Sequence, residues 1–246
     1  MRVLVALLAV IWTGTAQGAC RQALALGLDV SGSVDMREYR LQLDGLAGAL
    51  LRADVQDAFL ALPDAPVHLL VYEWSGLGSQ RVLLAWTPVT SRDDLARIAG
   101  TLATTPRVAA EPPTAIGQAM LAGARRLAER PDCWRRTLDL TGDGKSNTGP
   151  RPRDLKHHPL LSGITINALV IGSAPLAIGD RRPAETADLW AYFRIEVIRG
   201  PQAFVEVAQG FEDFENAMAR KLLKELSSLA VSEAPRMPLH VRIAQD

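Results

Sequence analysis

Asp29, Ser31 and Ser33 place one carboxylate and two hydroxyls within five residues, and Gly32 between the serines lets the backbone turn sharply enough to bring both Oγ atoms to one point. Oxygen donors carrying little charge suit a hard cation such as Mg²⁺ or Mn²⁺, which keeps part of its water shell, better than zinc, which prefers His and Cys. An isolated Asp-x-Ser-x-Ser stretch is also ordinary turn and helix-cap composition. Two further segments strengthen the metal reading. Pro112-Pro113-Thr114-Ala115-Ile116-Gly117 and Leu140-Thr141-Gly142-Asp143-Gly144 each add an oxygen, from Thr114 at the start of a helix and from Asp143 at the end of a strand.

These residues need rigid supports. The apolar run Ala23 to Leu28 reads as a strand buried on both faces, so the loop leaving its carboxyl end is firmly held. Asp35 and Glu38 have capping-box spacing, and Tyr39, Leu43, Leu46, Leu50 and Leu51 follow at helical spacing. Asp35 is therefore read as an N-cap, with an extra metal ligand as its alternative. Val67 to Trp74 and Arg81 to Trp86 are strands joined by a connection too short for anything but antiparallel pairing. Ser91 caps a helix to about Thr101, and Thr114 opens a longer one through Glu129, where it could equally serve as the N-cap. Further strands are expected at Arg136 to Thr141, Ile164 to Ile171 and Ala203 to Ala208, with helices at Glu185 to Phe193 and Phe211 to Leu226 and a helix or irregular loop at Arg151 to Leu161. Strands alternating with helices imply right-handed crossovers and an α/β, doubly wound sheet with helices on both faces.

The three oxygen-bearing segments together resemble the von Willebrand factor type A (vWA) domain and its metal-ion-dependent adhesion site (MIDAS). The loop Thr141-Gly142-Asp143-Gly144-Lys145-Ser146-Asn147, the strand end Glu73-Trp74-Ser75 and the segment Gly200 to Phe214 are most similar to a bacterial family of exported vWA-like domains of unknown function, over roughly residues 20 to 226. The resemblance implies a Rossmann-like, mostly parallel six-stranded sheet of order 3-2-1-4-5-6 with one antiparallel edge strand, and a site where the winding direction reverses. It also implies a ligand set. Ser31 and Ser33 would bind the ion directly, Thr114 directly or through water, and Asp29 and Asp143 mostly through waters. The family pattern reads Thr-Asp-Gly where this chain has Thr141-Gly142-Asp143, so Asp139 within the strand remains a rival to Asp143; the loop carboxylate is favoured because it reaches the sheet's carboxyl edge. In the implied order the strands that hold Asp29 and precede Asp143 are neighbours. Cys20 and Cys133, the only cysteines, then fall at the same edge of adjacent parallel strands, and a disulfide between them is expected.

Arg2, the apolar run Val3 to Trp12 and the small residues at Gly14, Ala16, Gly18 and Ala19 form a secretory signal peptide over residues 1–19. Lipidation of Cys20 is its alternative, disfavoured because Gln17 stands where such signals usually carry Leu. Residues 20–230 form one vWA-like domain, and residues 231–246 are expected to be a mobile tail in which two prolines break any helix, with a weak edge strand over the alternating Leu239, Val241 and Ile243 as its alternative. Export to the periplasm or beyond provides an oxidising compartment. The 27 basic and 27 acidic residues balance, so no electrostatic grip on nucleic acid is expected, and no later run is long enough to insert stably into a membrane. His68 reads as a core residue, the adjacent His157 and His158 point apart, and His240 has no motif context, so no catalytic residue stands out. The expected function is a non-enzymatic protein-binding module that captures a partner's acidic residue through the cation. Its alternatives are a vWA scaffold or assembly protein with no functional metal, and a hydrolase resting on the carboxylates alone.

Overall fold

The computed structural model describes residues 19–172 and 182–227. The expected signal peptide up to residue 18, the tail from residue 231 and His240 lie outside them. Six strands, β1 (Cys20–Asp29), β2 (Val67–Trp74), β3 (Gln80–Val89), β4 (Cys133–Gly142), β5 (Ile164–Ile171) and β6 (Val205–Ala208), form one sheet of order β3-β2-β1-β4-β5-β6. All pairings are parallel except β2 with β3. The short loop after Trp74 dictates that exception.

Alternation along the strands decides which helices cover which face. Leu24, Leu26 and Leu28 of β1, with Val67, Leu69 and Val71 of β2, face α1 (Met36–Leu51), α2 (Ala53–Leu60), α3 (Arg92–Thr104) and α6 (Phe214–Ser227). Ala23, Ala25, Leu70, Tyr72 and Trp74 face α4 (Ile116–Leu127) and α5 (Arg182–Tyr192) on the other side. Because β1 lies between two covered faces and two paired strands, each of its residues is buried, and the loop it feeds starts from the most constrained strand of the sheet.

Two expectations, the burial of Leu51 and of His68, need correction here, and two stretches gain detail. The first helix is two: the row Tyr39, Leu43, Leu46, Leu50 would next bring Asp54 onto the core, and extended backbone at Arg52 re-aims the chain so that Val55 and Phe59 turn inward instead. Leu51, expected in the core, ends α1 at 49% exposure. His68 is half-buried beneath Arg130, and burial together with the guanidinium holds its pKa below the usual histidine value. The stretch before β5 is two single 3-10 turns, Pro152–Leu155 and Pro159–Leu161; His158 caps the second by accepting from Leu160 N at 3.2 Å.

Cys20 and Cys133 are register partners across β1 and β4, and their disulfide spans a Cα separation of 4.5 Å. That position matches the expected bridge. The native protein should expose no alkylatable thiol until a reductant is added; two thiols modified without reductant, read by intact mass, would show the bridge to be absent.

Candidate metal centre

Asp29 is the last residue of β1, and two neighbours fix it. Its N–H donates to Thr141 Oγ1 at 3.0 Å, its carbonyl accepts from Gln42 Nε2 at 2.9 Å, and Thr141 Oγ1 donates in turn to Gln42 Oε1 at 2.7 Å. One amide on α1 thus locks β1 to β4 directly beneath the site. The sequence assigns no role in holding Asp29 to either Gln42 or Thr141. The available signal was an uncharged polar residue among the apolar positions of α1, where a buried amide must have partners.

The Asp29 carboxylate is fully buried; Oδ1 accepts from Ser31 N at 2.8 Å, whereas Oδ2 has no hydrogen-bond partner. Burial, and next the nearby Asp143, push its pKa up to about 7, although the Ser31 hydrogen bond pulls the other way. Around it the oxygens form a chain. Thr114 Oγ1 donates to Ser31 Oγ at 3.2 Å, Ser31 Oγ lies 3.4 Å from Ser33 Oγ, and Ser33 Oγ donates to Asp143 Oδ1 at 2.7 Å. The Asp143 carboxyl is likewise held above its usual pKa, chiefly by burial.

The structure therefore brings together Asp29, Ser31, Ser33, Thr114 and Asp143 from three separate segments. Asp139 is not among them. It lies lower on β4 and forms a buried ion pair with Lys221 of α6. The donor set is all oxygen, and an orphaned buried carboxylate oxygen is a polar atom that a cation would satisfy. These residues fit a small hard divalent ion.

Thr114 is placed by a neighbouring loop rather than by helix capping. The N-cap of α4 is Ala115, which makes no side-chain cap, so the expected N-cap role for Thr114 is not the one observed. Its N–H donates to Asn147 Oδ1 at 2.9 Å, and its carbonyl accepts from Asn147 N at 2.9 Å and from Ser146 Oγ at 3.2 Å. With both backbone groups engaged, the side-chain hydroxyl is left to reach Ser31. Asn147 thereby couples the Asp143 loop to the Thr114 segment.

A second network holds the approach to Thr114. Tyr39 Oη donates to buried Glu73 Oε1 at 2.6 Å and lies 3.3 Å from the carbonyl of Pro106. Arg81 pairs with Glu73 at 2.9 Å and donates to the same carbonyl at 3.0 Å. Further along, Gly32 N donates to Pro112 O at 2.8 Å and Ala115 N to Ser75 O at 2.8 Å. Tyr39→Phe should cost about 1–2 kcal/mol, because it removes the hydroxyl and leaves a buried carboxylate oxygen short of a donor. Urea denaturation measures that loss, and faster amide exchange at the residues before Pro112 would show that the loop has loosened. Trp74 is fully buried, while Trp86 is half-buried with its indole N–H on Arg126 O at 3.2 Å.

A family model for a protein of unknown function (DUF1194) matches residues 19–230. A search of curated proteins gives no match. Among solved structures, proximal thread matrix protein 1 (PTMP1) from the mussel byssus is similar over 86% of this chain and 48% of its own, with 18% identity and a TM-score of 0.55; another structure of that protein has a zinc-occupied MIDAS motif. The pilus adhesin SpaC from Lactobacillus rhamnosus GG matches over 85% of this chain and 31% of its own, with 15% identity and a TM-score of 0.58. A von Willebrand factor type A protein from Catenulispora acidiphila matches over 86% of this chain and 43% of its own, with 17% identity and a TM-score of 0.51. The chain spans about half, or less, of each of these proteins. At such identities the likeness is one of fold, and the fold is vWA-like. By the match across 19–230, the chain belongs to the DUF1194 family.

Proposed function

We propose that this protein is an exported, non-enzymatic binding module that captures an acidic residue of a partner protein through a divalent cation held by Asp29, Ser31, Ser33, Thr114 and Asp143. The observation that carries the reading is the convergence of three hydroxyls and two carboxylates, one of which keeps a buried oxygen with no partner. Mg²⁺ or Mn²⁺ suits that all-oxygen set, though the zinc-occupied MIDAS of the mussel protein makes zinc a necessary arm of any titration. Bound there, the ion supplies a positive charge with positions open to exchange. A partner's Asp or Glu carboxylate gains more from a cation held largely by neutral hydroxyls than from one already neutralised by direct carboxylates.

The adhesin and matrix proteins among the structural neighbours are compatible with a binding role, and the Cys20–Cys133 bridge with an oxidising compartment. Among the described residues no helix is long and apolar enough to cross a membrane. Capture of partners from the source organism's periplasm, with and without chelator, tests the reading. Partners should be lost on chelation and with Ser31→Ala. Capture unchanged by both would show that binding does not run through the ion, and a protein that takes up no Mg²⁺, Mn²⁺ or Zn²⁺ at millimolar concentration would be a scaffold without a functional metal.

A further inference from the structure

At the amino-terminal edge of the sheet lies a cleft of about 430 Å³, lined among others by Trp134, Arg136, Thr165, Arg199, Gly200 and Gln202. Arg136 precedes Asp143 by seven residues on and just past β4, which puts the two about 23 Å apart at the usual rise of a strand. No single small ligand spans that distance. The volume is in the range of small-molecule sites, and no carboxylate lines it.

Its charge is unbalanced. Arg136 Nη2 donates to Ser162 O at 3.2 Å and Arg199 Nη1 donates to Leu161 O, so two guanidinium groups hold the carbonyls of consecutive residues. Among the described residues neither forms an ion pair, whereas Arg37, Arg81, Arg130 and Arg220 each meet a carboxylate. Each guanidinium has five N–H donors in a planar fork suited to carboxylate or phosphate oxygens, and one backbone carbonyl occupies few of them.

The backbone of the cleft is unusual too. Gln202, at φ 59°, is the only non-glycine residue with positive φ among the described residues, and Gly163 (φ 67°) and Gly200 (φ 95°) stand in the same wall. A Cβ on Gly163 would come within 2.9 Å of Arg136 Nη2, and one on Gly200 within 2.9 Å of Thr165 Oγ1. Glycine adopts such conformations freely, but at Gln202 the left-handed backbone costs free energy and persists because its surroundings over-determine it. At the cleft lies Trp134, 55% exposed and next in sequence to the disulfide-bonded Cys133. It offers a flat apolar surface beside the two cations.

We propose that this cleft is a second binding site, for a small organic anion whose phosphate or carboxylate group is held by Arg136 and Arg199 while its flat or apolar body lies on Trp134. Isothermal titration of the full chain in the presence of chelator, which keeps the Asp29 site out of the measurement, tests this with phenyl phosphate, benzoate and inorganic phosphate as probes. Phenyl phosphate or benzoate should bind saturably, and the stronger of the two identifies the preferred anion. Arg136→Ala should weaken that binding roughly ten- to a hundredfold, the range for a lost charge-assisted hydrogen bond. Trp134→Ala, at an exposed position, should weaken phenyl phosphate or benzoate more than inorganic phosphate. Arg199→Lys keeps the charge and loses the fork, and should weaken binding without unfolding the chain. Absence of saturable binding of all three probes at millimolar concentration would overturn the proposal, as would affinities unchanged in Arg136→Ala and Trp134→Ala. The outcome is independent of ion binding at Asp29.

Discussion

Asp29→Asn is expected to stabilise the ion-free protein at about pH 8, by on the order of 2–4 kcal/mol. The reason is the position of its carboxylate, fully buried with one oxygen unpartnered and a pKa raised from 3.8 to about 7 by burial and by Asp143. Below pH 4 the group is protonated in both the folded and the unfolded chain and contributes no difference. As pH rises from about 4 through about 7, the unfolded chain releases its proton first while the folded chain retains it, so stability falls across that window and stays low above it. The raised pKa of Asp143 acts in the same direction. The substituted amide cannot ionise, yet its Oδ1 can still accept from Ser31 N, so the variant escapes the penalty while keeping the turn. Denaturation near pH 5 and near pH 8 in chelator gives the comparison: the wild type should lose stability between the two and the variant should lose less. Adding Mn²⁺ at the higher pH should restore the wild type, because the cation offsets the buried charge, and should do little for the variant, which has no charge at that position to offset. A variant no more stable than the wild type near pH 8 would mean that the buried carboxylate is not costly, and the case for an ion at this position would weaken with it.

The parts legible in the sequence are those fixed by local pattern. β2 and β5 begin and end where the apolar runs do, because strands buried on both faces need continuous apolar residues and the flanking turn chemistry is explicit. The capping box of Asp35 and Glu38 is present with both of its hydrogen bonds, and Asp35 is a cap rather than a ligand. The sheet order came from resemblance to a family, since alternation of strands and helices restricts topology without choosing among the doubly wound orders. What stayed hidden was mutual orientation across long sequence separations. Whether Asp139 or Asp143 reaches the oxygen cluster depends on α6, whose Lys221 engages Asp139 and leaves Asp143 at the sheet edge. The role of Asn147 as a two-sided clamp on Thr114 depends on a backbone match between two loops, for which side-chain type gives no sign.

Lys221→Met is expected to destabilise the protein by about 3–5 kcal/mol, the cost of leaving a buried ionic partner uncompensated. Phe214, Met218 and Leu222 mark the buried stripe of α6, and a lysine beside it would ordinarily reach for water; here it is fully buried. Its ammonium pairs with Asp139 and lies 3.4 Å from Glu225 Oε2 and 5.3 Å from the Phe204 ring centroid. Burial opposes the lysine's charge, but Asp139 and Glu225 together more than offset it and hold its pKa above the usual value. Burial, and next the charge of Asp139, push the Glu225 pKa well above a normal glutamate, while Lys221 pulls it the other way. Asn167 completes the group, donating to Glu225 Oε1 at 3.2 Å. Both raised pKa values have the same sign: the folded chain holds these protons more tightly than the unfolded one, so their contribution is full below the unfolded values and fades as pH rises through the folded ones. Methionine fills the volume of the lysine stem without the charge, which isolates electrostatics from packing. Combining Lys221→Met with Asp139→Asn removes both charges and should recover most of the lost stability, since a buried pair replaced as a whole is often close to neutral. Urea denaturation of the two single variants and the double variant gives the coupling directly. If the double variant is as unstable as the two single losses added together, α6 is not held to β4 by this pair, and the preference for Asp143 over Asp139 at the oxygen cluster loses its structural reason.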